Sequence, residues 1–151
     1  MPTKNPRLEP PGKARSNGQI TGNVGLYYCC YQLSLRNWNV MPTARNARGV
    51  DIVAYNSDAT RIIGIQVKAL SKRSAVPLGK SLKNVMGNFW IIVNKVTTGA
   101  PTAFILTPAE VIEGAHLAGK GENAAYWMEP GKYDRARFKE AWDRLKIADR
   151  A

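Results

Sequence analysis

The chain has 151 residues, 44% of them hydrophobic, with 13 glycines and 9 prolines. That is the length and composition of one globular domain able to bury a core. No stretch approaches the roughly 20 apolar residues that span a bilayer. Residues 1–19 are polar and basic and lack the apolar run of a secretory signal, so the cytoplasm is the expected location and no membrane partner is expected. The formal net charge is +11, and residues 1–109 carry all of it: 14 Lys/Arg stand there against Glu9, Asp51 and Asp58. Residues 110–151 hold eight charges of each sign. A folded segment with such a field attracts polyanions, and nucleic acid is the foremost of these. A basic protein without a nucleic-acid partner is the alternative. The adjacent Cys29 and Cys30 do not suit a disulfide with each other. With His116 the only histidine, a zinc site of the usual ligand set is excluded.

Residues 1–18 read as a disordered basic arm with four Lys/Arg and four Pro, and residues 19–151 as a single folded domain. Leu26, Tyr27, Cys30 and Leu33 recur at helical spacing, which predicts a helix over 25–35 started by Asn23 or Thr21. Residues 38–41 begin an extended run that Pro42 stops. An Arg-bearing loop over 43–49 leads to a β-branched strand over 50–55. Asn56, Ser57 and Asp58 form a turn, and residues 61–70 form the next strand, so the two strands make an antiparallel hairpin. Residues 71–83 read as a basic connector. The nearly continuous apolar run 89–96 predicts a strand buried on both faces, and 103–106 a shorter one. Thr107, Pro108 and Glu110 open a capped helix reaching about His116, whose imidazole would sit favourably at the helix end. A Gly-rich loop follows to Glu122. Residues 125–128 read as a short edge strand. A terminal amphipathic helix is expected over 133–146, with Phe138, Ala141, Trp142 and Leu145 on one side. Trp90 and Trp142 read as core. This order predicts an α/β fold with a mixed sheet and flanking helices.

Side chains alternate along a strand. Gln66 and Lys68 therefore share a face with Gly64, while Ile63, Ile65 and Val67 take the other. A polar pair on an otherwise apolar strand is unusual, because burying an ammonium without a partner is costly. Gly64 leaves room there for a ligand or a close backbone approach. Hairpin pairing brings Asp51 near the pair. A carboxylate, an amide oxygen and a main-chain carbonyl are hard ligands suited to Mg²⁺, which polarises a phosphate and acidifies a bound water. A lysine beside them can position or deprotonate that water, or stabilise developing charge. Bland roles compete with these. Asp51 could accept bonds from Arg45 and Arg48, and Gln66 and Lys68 could be the solvated face of an edge strand.

Gly49-Val50-Asp51-Ile52, followed by Gln66-Val67-Lys68 on the next strand, resembles the D…(D/E/Q)-x-K signature of the PD-(D/E)XK nucleases. The Gln-x-Lys form is similar to the subgroup around methyl-directed type IV restriction endonucleases. The resemblance covers roughly residues 20–96. It implies a restriction-endonuclease-like fold with αβββαβ core order. It further implies hydrolysis of nucleic-acid phosphodiesters, DNA foremost, with Mg²⁺ as cofactor and Mn²⁺ as a substitute. Asp51 would be the metal-binding carboxylate, Lys68 the catalytic lysine, Gln66 the stand-in for a second acid, and Val67 the donor of a carbonyl. Arg45, Arg48, Lys72, Arg73, Lys80 and Lys83 are the candidate phosphate contacts. A homodimer is possible, since enzymes that cut both strands often pair. The chain departs from the family at the first helix, where Leu26 takes the place of a common glutamate. One carboxylate binds Mg²⁺ weakly unless substrate phosphates complete the shell. A catalytically inactive nucleic-acid-binding module on the same fold is therefore the alternative reading.

Overall fold

The structure, a computed structural model, describes residues 18–44 and 47–147. The elements are α1 (Gly18–Leu35), β1 (Asn39–Pro42), β2 (Ile52–Tyr55), β3 (Ile62–Ala69), β4 (Val76–Gly79), β5 (Phe89–Asn94), β6 (Thr102–Leu106), α2 (Pro108–Gly114), β7 (Ala115–Ala118), β8 (Ala125–Met128), α3 (Pro130–Tyr133) and α4 (Arg144–Ile147). The fold is mixed α/β. A five-stranded sheet runs β1-β2-β3-β5-β6, with β3 and β5 parallel and the other pairs antiparallel. A second, three-stranded sheet runs β4-β8-β7 and is antiparallel throughout.

The larger sheet is buried on both faces at β5, all six of whose residues are buried, as the apolar run predicts. Phe89, Ile91 and Val93 point into a core shared with Cys29 and Leu33 of α1, Ile63 and Ile65 of β3, and Trp142 and Leu145. Trp90 and Ile92 point the other way, into a core closed by Val76, Leu78 and Met128 of the small sheet, Val111 of α2, Tyr133 and Phe138. The layers are therefore α1, the five-stranded sheet, and then the small sheet with α2.

Helix α1 begins seven residues before the predicted start at 25. Its glycines conceal this in the sequence, because they read as breakers. Gly25 is instead a contact point: a Cβ there would lie 2.3 Å from the Cβ of Ala69 on β3. Thr21 is buried within the helix. The helix ends in a Schellman arrangement. Asn37 takes φ 67°, Asn37 N–H donates to the Ser34 carbonyl at 3.1 Å, and Trp38 N–H donates to the Leu33 carbonyl at 3.1 Å. Cys29 is buried and Cys30 half-buried, and both are free thiols; burial pushes both thiol pKa values up.

The β2–β3 hairpin forms as expected. The connector after it does not: residues 76–79 are strand β4, followed by a 3₁₀ turn over Leu82–Asn84. The crossover from β3 to β5 thus lacks the helix of an αβββαβ order. Val76 and Leu78 alternate inward there with Pro77 and Gly79 outward, a strand pattern too short to stand out among five nearby cations. The capping box of α2 is present, with Thr107 and Glu110 bonding reciprocally. That helix stops at Gly114 with Ala115 as its C-cap, so His116 lies just past the helix end, on β7, 3.6 Å from Glu129. Part of the expected loop to Glu122 is therefore strand. Strand β8 is the middle strand of the small sheet, paired on both sides, and not an edge.

The expected helix over 133–146 is also replaced. Only Pro130–Tyr133 and Arg144–Ile147 are α-helical. Between them the chain pairs with the open edge of β6. Ile105 N–H donates to the Phe138 carbonyl at 2.9 Å, and Glu140 N–H donates to the Ala103 carbonyl at 2.7 Å. An unpaired edge strand leaves N–H and C=O groups without partners, and this segment supplies them, with Glu140 at φ 49° making the turn. Phe138 then enters one core and Trp142 and Leu145 the other. The basic arm read over 1–18 lies outside the described residues, save Gly18.

Gly25→Ala should lower stability by about 1–3 kcal/mol, because the added methyl forces α1 off β3. Gly22→Ala, where a Cβ meets nothing within 4 Å, should raise it by about 0.5–1 kcal/mol through helix propensity. Urea denaturation of the two variants checks both signs.

Candidate functional site

The site follows from a mismatch of strand lengths. β2 has four residues and β3 eight, and their pairing ends at Ile52 opposite Ile65. Asp51 N–H still donates to the Ile65 carbonyl at 2.8 Å. Beyond that point β3 runs on alone on this side, so the Val67 N–H has no strand partner there. The Asp51 carboxylate takes that place. Its Oδ2 accepts from Val67 N–H at 2.8 Å and from the Gln66 amide Nε2 at 2.7 Å. The Asp51 N–H bond to Ile65 departs from the Ile52–Ile65 register, so Asp51 stands just ahead of β2 with its carboxylate turned to Gln66. The Gln66 Nε2 also lies 3.4 Å from the Val67 carbonyl. Both of its neighbours are acceptors, which requires the NH₂ end of the amide to face them.

Lys68 is the next residue on the Gln66 face. It makes no ion pair with Asp51 within 4.0 Å; its ammonium instead lies 5.5 Å from the ring centroid of Trp90 on β5. Burial holds its pKa below the usual lysine range, and the Asp51 carboxylate opposes that shift. Lys68 thus senses the Asp51 charge without an ion pair. The space that Gly64 leaves is taken up by protein. A Cβ there would meet Val50 at 3.1 Å, and Asn88 bonds the Gly64 backbone twice, its Oδ1 accepting at 2.7 Å and its N–H donating at 2.9 Å.

A cavity of about 280 Å³ opens where β2 has ended. Asp51, Gln66, Val67 and Ala69 form one wall, and Gln19, Gly22, Asn23 and Leu26 of α1 the other. The α1 residues are spaced at three and four, one helix face. The spacing is visible in the sequence, but starting the helix at 25 hides Gln19 and Asn23. Leu26, which the family resemblance set in the place of a glutamate, does face the cavity.

The basic residues are less convergent. Arg48 donates to Asn84 Oδ1 at 3.0 Å and so joins the turn that carries Lys83. Arg73 is held by Asp134 at 2.7 Å, so an acid from the second half of the chain neutralises it. Lys72, Lys80 and Lys83 are exposed. Arg45 lies outside the described residues. Asp51 does not bond Arg48; its contacts are Gln66 and Val67.

Among the described residues there is no group of three or more His, Cys, Asp or Glu that could hold a metal ion. The donors present are the Asp51 carboxylate, the Val67 carbonyl and, with its amide turned over, Gln66 Oε1. The Gln66 nitrogen already sits between the first two, an arrangement with a partial positive charge between two oxygens. That donor chemistry fits a hard cation completed by water and phosphate oxygens. No helix of the described residues is long and apolar enough to cross a membrane. Comparison with protein-family models, curated proteins and solved structures finds no match to the chain.

Asp51→Ala should cost about 1–3 kcal/mol, because it strands the Val67 N–H and the Gln66 amide at a half-buried place. Asp51→Asn, which keeps one acceptor oxygen, should cost less. Denaturant midpoints of the two variants decide whether Asp51 has this backbone-capping role.

Proposed function

We propose that the protein is a metal-dependent nuclease of the PD-(D/E)XK kind that hydrolyses nucleic-acid phosphodiesters, DNA foremost. One observation carries the reading: Asp51, Gln66 and the Val67 carbonyl meet at one point on the wall of a cavity, and the next residue of β3, Lys68, lies over Trp90 with a pKa that burial lowers. In this reading Asp51 and Val67 hold Mg²⁺, or Mn²⁺ in its place, and Gln66 turns its amide to add an oxygen. The ion, when bound, polarises the scissile phosphate and acidifies a water. Lys68 receives the water's proton in its neutral form, or in its charged form stabilises the negative charge that grows on the phosphate. Arg48 and Lys83, brought together at the 3₁₀ turn by the Arg48–Asn84 bond, hold the backbone phosphates.

A second reading is favoured by a specific observation: the cavity holds one carboxylate, and α1 offers Leu26 and two amides where an acid would help. It makes the chain a nucleic-acid-binding module that does not cut. It shares the salt-sensitive binding expected of the basic half.

Plasmid nicking separates the two. The protein should nick in Mg²⁺ or Mn²⁺, stop in EDTA, and lose on the order of 10²-fold or more in rate with Lys68→Ala. Equal cleavage by that variant or in EDTA overturns the mechanism, and salt-sensitive binding without metal-dependent nicking selects the second reading. The lowered pKa of Lys68 enlarges its neutral fraction at a given pH. A rate that depends on the neutral amine should therefore rise with pH and level off below the ordinary lysine value of about 10.4, and Lys68→Ala should flatten that rise. Gln66→Glu sets a second carboxylate against Asp51. It should lower the Tm in EDTA by like-charge repulsion and make the Tm rise with added Mg²⁺, as thermal melts in the two buffers will show.

A further inference from the structure

Helix α1 holds 18 residues and no charge of either sign, in a chain of net charge +11. Its inner side is settled: Thr21, Gly25, Cys29 and Leu33 are buried against the sheet. Its outer side is not polar in compensation. Ile20, Val24, Tyr27, Tyr31 and Leu35 are between 40% and 64% exposed. At 100° per residue these five fall within an arc of about 80°, centred about 140° from the buried row. Their spacing of four, three and four from Ile20 to Tyr31 is that of a coiled-coil seam. A surface helix normally opposes its buried stripe with charged residues, so a second, solvent-facing apolar stripe calls for a partner.

We infer that α1 is the seam of a homodimer, in which the stripe packs against the same stripe of a second copy across a two-fold axis near Tyr27. Four observations favour a second copy over other occupants. The stripe is self-complementary in kind, apolar with two tyrosines, which suits an isologous contact. Side chains of this size at this exposure offer on the order of 600 Å² per copy, so a pair buries about 1,200 Å², the lower bound of a stable interface. Two bodies of charge +11 repel wherever cations meet, and α1 is a long surface free of them. Residues 1–17 bring only Met1 and Leu8 as large aliphatic side chains, too few to cover five. A lipid surface is the poorer match, because membrane-lying helices flank their apolar stripe with Lys and Arg and α1 has neither. The inference stands independently of the nuclease reading.

Sedimentation equilibrium of the full chain in about 0.5 M salt, which screens charge repulsion, tests it. A dimer of 16.7 kDa chains should form within about 1–100 µM, the weak end for an interface of this size. Tyr27→Glu with Tyr31→Glu should weaken it by at least about 30-fold, with an unchanged circular dichroism spectrum because both side chains are mostly outside the core. The milder Tyr31→Ser alone should weaken it measurably. A chain that stays monomeric through that range overturns the inference. So does a dimer that both sets of substitutions leave intact, since its seam would then lie elsewhere.

Discussion

Strand β3 is twice as long as the strand on its antiparallel side, and the backbone of its second half needs partners that β2 does not reach. On one edge β5 supplies them in parallel register from Ile65 to Ala69. On the other edge a carboxylate stands in for a strand. Bonding the Val67 N–H to Asp51 keeps the notch open, because a side chain fills less of the edge than a chain would. Helix α1 then leans over the notch, and the absence of a Cβ on Gly25 sets how closely it sits on Ala69. The cavity, its lining and the approach of Asp51 to Gln66 all descend from that inequality of length.

How much of this the sequence discloses depends on whether a pattern has one structural solution or several. Period-two alternation along a hairpin strand has one, so Gln66 and Lys68 could be set on one face of β3, with Asp51 near them although it stands just ahead of β2. The run at 89–94 likewise suits only a doubly covered strand. Apolar residues at 138, 142 and 145 suit either a helix or a chain that winds around a sheet edge, and the unpaired edge of β6 decides for the second. Strands β4 and β7 are four residues each, and their pairing comes from β8, between 7 and 52 positions further along the chain. No local pattern carries that information. The glycines of α1 mislead for a related reason: Gly25 serves a contact with Ala69 of β3, not the helix itself.

Asp51 has two demands on one carboxylate. As an acceptor for Val67 N–H it is part of the sheet, and as a cation ligand it would be part of a site. The two are compatible because a carboxylate has about four lone-pair positions, of which two are used here. Both bonds fall on Oδ2, so Oδ1 is the oxygen that would face a cation while the Val67 N–H keeps its bond. The strand edge would hold its shape as the site filled, with one amide rotation as the rearrangement. Lys68 stays out of that exchange, drawn instead over Trp90.

The segment from Phe138 to Leu145 ties back to helix α1. Trp142 and Leu145 share a core with Cys29 and Leu33, more than a hundred residues earlier in the chain. On a ribosome the α1 side of the sheet therefore stays unfinished until the chain has been made through Leu145. At roughly 5–20 residues per second that is a delay of several seconds or more after α1 first emerges. During it the edge of β6 and the apolar faces of α1 are uncovered together. Contacts this distant along the chain also slow folding once synthesis ends. The α1 core is thus built to close last at Trp142 and Leu145.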